Sequence, residues 1–121
     1  MPGIPTGDAR ISHAAIWGNL VFVSGLVARE PLTGRPRAGG VKVQTRLIFE
    51  NLSLILASAG SGKDLVLKIG CFLQDMSEFE EFNSVWNEFF LPFPPARICV
   101  EGKIAPGYEV EIDAVAGIVS S

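Results

Sequence analysis

A chain of 121 residues is long enough for one hydrophobic core and too short for two, so a single domain over residues 1–121 is expected. Hydrophobic residues make up an ordinary 48%, but charged residues reach only 19% against about 25% in typical globular chains, which points to a surface partly covered by copies of the chain itself. A net charge of -3 argues against a general nucleic-acid binder, whose basic footprint shows as clustered Lys and Arg.

The opening MPGIPTGDAR lacks the basic start and apolar centre of a signal peptide. No run approaches the ~18 apolar residues of a membrane span, so a soluble, cytoplasmic protein is expected. ISHAAIWGNLVFVSG divides at Gly18-Asn19 into two short apolar runs, Ile11–Trp17 and Leu20–Gly25, which read as a β-hairpin. Leu20, Val21, Phe22 and Val23 are apolar on both sides of the pleat, so both faces of the second strand should be shielded from water. The segment from Glu30 to Gly40, with two prolines, three glycines and two arginines, reads as a surface loop.

Val41, Thr45, Ile48, Leu52, Ile55 and Ala59 then recur at alternating steps of four and three, one stripe of an amphipathic helix. Gly60 follows where a helix end favours a left-handed residue. A third strand is expected over Leu65–Gln74, and Ser77 with Glu80 has the spacing of a capping box at the head of a second helix. Phe79, Phe82, Trp86 and Phe89 form its buried stripe. Two last strands, Arg97–Glu101 and Glu109–Ala116, are joined through a turn at Pro106-Gly107. The order β-β-α-β-α-β-β predicts an α+β fold in which two helices cover one face of a single sheet. The other face then calls for a further subunit, in a closed ring.

Chemistry concentrates on the last two strands. Period two puts Arg97, Cys99 and Glu101 on one side of the fourth strand, and Glu109, Glu111 and Asp113 on one side of the fifth. Pattern alone favours a cross-strand salt bridge, contributing ~0–1 kcal/mol. The alternative is ligand binding by Arg97. Pro94 and Pro95 stiffen the chain ahead of it, and a guanidinium held in place grips a planar carboxylate through two parallel hydrogen bonds.

Other candidates fail or have simpler readings. AGSGKD lacks the first glycine and the final Ser or Thr of a phosphate loop, with Ala57 and Asp64 in those places. His13 is the only histidine, which excludes a multi-histidine metal site and favours a hydrogen-bonding or packing role. Cys71 and Cys99 lie in apolar runs without CxxC spacing, which fits reduced thiols in a reducing compartment better than a disulfide or a metal site. The aromatic stripe of the second helix reads as core, and Arg29, Arg35 and Arg37 as loop residues that could shield a pocket.

GNLVFVSG at 18–25, QTRLIFENL at 44–52, FEEFNSVWNEFF at 79–90, PPARICVE at 94–101 and VEIDAVA at 110–116 together resemble the YjgF/Rid proteins over nearly the whole chain. The resemblance implies a chorismate-mutase-like fold assembled as a homotrimer, with pockets at the subunit interfaces. It also implies hydrolysis of 2-imino or 2-enamino acids, such as 2-iminobutanoate and 2-iminopropanoate, to 2-keto acids and ammonia without cofactor or metal. Arg97 matches the carboxylate-binding arginine and Glu111 the acid that positions or activates water. Cys99 falls where the backbone contacts the ligand, and Ser24, Gly25 and Asn83 line the cavity. Ile11 and Ile98 replace a tyrosine and a Ser or Thr of the family pattern, and the turn after Glu101 is one residue short. An imine more apolar than 2-iminopropanoate, or slow turnover, is the expected consequence. Two alternatives are a non-catalytic trimer that binds small carboxylates, as a sensor or chaperone-like module, and an endoribonuclease. The second is disfavoured by the acidic balance and by the lack of a histidine pair.

Overall fold

The computed structural model describes residues 12–119. Strands β1 (Ala14–Trp17) and β2 (Leu20–Leu26) form the antiparallel hairpin expected around Gly18, which adopts a φ of 60°. Helix α1 (Val41–Ser58) follows the loop, then β3 (Val66–Leu73), α2 (Phe79–Phe90), β4 (Ala96–Glu101) and β5 (Val110–Gly117). The β-β-α-β-α-β-β order is as read from the sequence. The five strands form one mixed sheet in the order β1-β2-β5-β3-β4, with β4 parallel to β3 and the other neighbours antiparallel.

The predicted stripe of α1 is real. Val41, Thr45, Ile48, Leu52 and Ile55 are buried, while Ala59 is partly buried and caps the helix end. Gly60 has a φ of 82°, which lets the Ser61 amide turn back onto the Leu56 carbonyl at 2.8 Å. Buried Gln44 ties the head of the helix to the rest of the molecule. Its amide nitrogen donates to the Arg37 and Gly107 carbonyls at 2.9 and 3.0 Å, and its oxygen accepts from the Glu109 amide at 2.8 Å.

The second helix departs from expectation at its start. No capping box forms between Ser77 and Glu80, because a 3-10 turn over Met76–Glu78 precedes α2 and contains Ser77. Asp75 caps that turn instead, accepting from the Ser77 amide at 2.9 Å. This bond holds the Asp75 carboxyl below its ordinary pKa. The buried face of α2 is Phe82, Val85, Trp86 and Phe90, with Phe79 and Phe89 only partly buried. Phe49 of α1 stacks on Phe89 at 4.6 Å between centroids and meets Phe90 edge-on at 5.4 Å, so aromatic contacts lock the two helices together.

Both helices lie against one face of the sheet, where Val21, Val23, Ile69, Cys71, Val110, Ile112 and Ala114 join their core. The opposite face is left open by the described elements, as expected for a single protomer. Val21 and Val23 are buried, but Phe22 between them is 44% exposed because no described element reaches it. Phe72 and Val100 share that face through the register Val100–Phe72–Glu111 across β4, β3 and β5.

Candidate functional site

Arg97 enters the sheet on β4, an edge strand bonded only to β3. Its register partner is Ile69, wholly buried under the helices, so the arginine shares the helix-covered side. There the guanidinium carbon lies 4.7 Å from the Trp86 ring centroid, 5.4 Å from Phe79 and 5.8 Å from Phe82. Three aromatic faces of α2 thus hold the cation by cation-π attraction while leaving its hydrogen-bonding edge unmatched. Nη1 is buried and, among the described residues, has no hydrogen-bond partner. A buried donor without a partner costs about 1–3 kcal/mol. Asn83, one helical turn from Phe79 and Trp86, presents a second orphan, a buried Oδ1 without a partner among the described residues.

The cross-strand salt bridge anticipated for Arg97 does not form. β3 stands between β4 and β5, so the two strands are not neighbours. Glu111 also faces the other way, since its neighbours Val110 and Ile112 fill the core while Glu111 pairs across the open face with Phe72. Arg97 and Glu111 therefore lie on opposite faces of one protomer's sheet.

A second group of predicted residues surrounds Glu111. A Cβ on Gly25 would lie 2.5 Å from Glu111 Oε2, so the missing side chain on β2 is what lets the carboxylate lie down on the neighbouring strand. Gly70 does the same for Asp113, whose Oδ1 accepts from the Gly70 amide at 3.0 Å. Burial, and secondarily the nearby Asp113 charge, raise the Glu111 carboxyl above its ordinary pKa. Ser24, beside Gly25, donates its hydroxyl to the Ser12 carbonyl at 2.5 Å.

Cys99 follows Arg97 on the same side of β4, partly buried against the core. Ile98 points the opposite way, 57% exposed on the open face, and does not border the guanidinium of its own protomer. Ile11 lies outside the described residues. His13 accepts from the Ser24 amide through its backbone carbonyl at 3.0 Å. Arg35 and Arg37 line a cavity of about 820 Å³ at the head of α1 with Lys103 and Tyr108, and none of the predicted site residues borders it. Among the described residues, no group of three or more His, Cys, Asp or Glu could hold a metal ion.

Sequence reasoning missed the aromatic platform, having assigned Phe79, Phe82 and Trp86 to the core alone. The signal was present in the spacing. Asn83 falls four after Phe79 and three before Trp86, a polar residue inside an aromatic helical face.

The sequence matches the family model described as Endoribonuclease L-PSP over residues 4–118. A RutC family protein of Pyrococcus horikoshii is 37% identical over 106 residues, spanning 87% of this chain and 84% of the relative. The chain belongs to the YjgF/Rid family. Within it, Protein MMF1, mitochondrial, of Saccharomyces cerevisiae is 34% identical over 113 residues, 93% of this chain and 77% of the relative. The solved structure of RidA from an Antarctic Psychrobacter superposes with a TM-score of 0.88 at 32% identity, covering 96% of this chain and 94% of that one. The two helices and five-stranded mixed sheet are thus the Rid fold. Among the described residues, no helix is long and apolar enough to cross a membrane.

Proposed function

We propose that this Rid-family chain is a cofactor-free deaminase of reactive 2-imino and 2-enamino acids, working as a homotrimer with its pockets between protomers. The observation that carries the reading is the Arg97 guanidinium, fixed on three aromatic rings with a buried, unpartnered nitrogen. A small carboxylate is the partner that such a fork lacks. The homotrimer answers two observations together: the open face with exposed Phe22, Phe72 and Ile98, and the placement of Arg97 and Glu111 on opposite sides of one sheet. Apposing the β4 edge of one protomer with the open face of the next supplies both groups to one cavity.

In that cavity Arg97 anchors the substrate carboxylate, and Cys99 contributes its backbone. Glu111, seated by Gly25 beside Ser24, aims a water at the imine carbon. Addition of water gives a hemiaminal, and proton transfer to its nitrogen releases ammonia and leaves the 2-keto acid. A carboxyl raised above its ordinary pKa suits this exchange, since it holds and returns a proton closer to neutrality. Most of the rate then comes from orientation and electrostatics. Ile98 adds apolar lining, so the preferred imine is more apolar than 2-iminopropanoate.

The test mixes the purified protein with a pyridoxal-phosphate threonine dehydratase and follows keto-acid release. The wild type accelerates release, and Arg97→Ala lowers the gain about 10- to 100-fold, the equivalent of one charge-assisted bond. Equal gains from both proteins remove the reading. Binding without turnover is the second reading, favoured by Ile98, which stands where the family pattern has a Ser or Thr. Calorimetry with 2-ketobutyrate, giving binding by a protein that accelerates nothing, selects it. Endoribonuclease action, the activity named in the family description, finds little support in a chain of net charge -3 with a single histidine.

A further inference from the structure

The only two cysteines of the chain are far apart in sequence and adjacent in the fold. Cys71 on β3 and Cys99 on β4 are direct register partners on the helix-covered side. Neighbouring strands run ~4.8 Å apart, inside the 4.4–6.8 Å between Cα atoms that a disulfide spans. Each thiol is close enough to shift the titration of the other. Their surroundings differ. Cys71 is wholly buried, whereas Cys99 is half-buried on the edge strand that carries Arg97.

We infer that Cys99 and Cys71 form a peroxide-sensitive dithiol, in which Cys99 is oxidised first and Cys71 resolves it to a disulfide. The Cys99 thiolate attacks one oxygen of hydrogen peroxide, the O–O bond breaks, and Cys99 becomes a sulfenic acid while the departing hydroxide takes up a proton and leaves as water. Cys71 then attacks the Cys99 sulfur and expels the hydroxyl as a second water. Two thiols lose two electrons and two protons, and the peroxide is reduced to two waters. The roles follow from access and charge. Burial pushes the Cys71 thiol up to about 12, with the Cys99 contact adding to the rise, so it is a poor first nucleophile. Burial raises Cys99 as well, but it is the more exposed of the two, and Arg97 and the Cys71 thiol both pull it back. As an edge strand, β4 can also shift to close the bond, since it has one partner strand instead of two.

The bond would pin β4 two residues beyond Arg97, at the position proposed to contact the ligand. Resting on that reading, oxidation should weaken small-carboxylate binding.

The experiment exposes the purified protein to hydrogen peroxide with a chelator present, alkylates it under denaturing conditions and digests it with trypsin. Cleavage after Lys68 and Arg97 separates the two cysteines onto peptides 69–97 and 98–103. The expected product is these peptides linked, lighter by two hydrogens and separable with dithiothreitol. Cys71→Val should trap a Cys99 sulfenic acid that reacts with dimedone. Complete alkylation of both thiols after peroxide overturns the inference, as does Cys99 sulfinic acid with Cys71 free or a link between subunits. Because mass alone is read, the result stands whether or not the protein hydrolyses imines. A disulfide that forms and leaves 2-ketobutyrate binding unchanged refutes the coupling to the pocket.

Discussion

On the helix-covered face of the sheet, β5 places Val110, Ile112, Ala114 and Ala116 in the core, almost wholly buried. One residue along, the same strand turns Glu111 and Asp113 toward a face that no described element covers. The first set stabilises the fold by taking apolar surface out of water, and its shape is fixed by close packing. The second sits on a surface free of packing demands, where glycines on β2 and β3 leave space for carboxylates. On the reading proposed above, the difference divides folding and chemistry between the faces of one sheet. Arg97 is the exception, a polar group kept on the covered side but confined to its edge strand.

The sharpest way to break the comparison is to cut into the covered face. Phe82→Ala should destabilise the protein by about 3–5 kcal/mol, read by chemical denaturation, because Phe82 is completely buried between helix and sheet. A loss below ~1 kcal/mol would mean that this face is not the main core. On the open face, Phe22→Asp should leave the secondary structure intact and shift the sedimentation of the protein toward a single chain. An unchanged sedimentation coefficient would detach that face from assembly.

Gly25→Ala probes the division at a smaller scale. The added methyl collides with Glu111 Oε2, so keto-acid release should fall by about tenfold, one displaced group's worth, while the melting temperature moves by only a few degrees. Arg97→Met tests the exception. It removes an unpartnered buried donor and keeps an unbranched side chain on the aromatic platform, so stability should change by less than ~1 kcal/mol while carboxylate binding is lost. A large destabilisation would make Arg97 a structural residue.

The smallest effect concerns pH. Glu111 has a raised folded-state pKa, so on alkalinisation the unfolded chain ionises first. Stability present below the ordinary carboxylate value is therefore lost until pH passes Glu111's own value, and is level above it. Glu111→Gln should remove this decline, a change below ~1 kcal/mol for a group still reached by solvent. Denaturation curves from pH 4 upward that keep the same slope in the variant would contradict it.

Much of this was legible in the residues. The stripe from Val41 to Ile55, the Gly18 turn and the alternation of β5 are local periodicities that burial enforces directly. What sequence could not supply was adjacency between distant segments. β4 and β5 follow each other in the chain, and their alternating charges invited an ion pair, yet β3 separates them and they turn opposite sides outward. The same blindness hid Cys71 beside Cys99, and Trp86 beneath Arg97. Ahead of α2, Ser77 and Glu80 had the right spacing, but the chain makes a 3-10 turn there, which Asp75 caps.

The strand order carries one more consequence, for synthesis. β5 is the last of the described strands to leave the ribosome, yet it lies in the middle of the sheet, bonded to β2 on one side and β3 on the other. Until it emerges, the N-terminal hairpin and the β3–α2–β4 unit share no strand ladder, and both present a raw edge. Until then the β2 and β3 edges have no strand between them, and a stop codon placed shortly before Val110 should yield material that aggregates instead of a smaller folded protein.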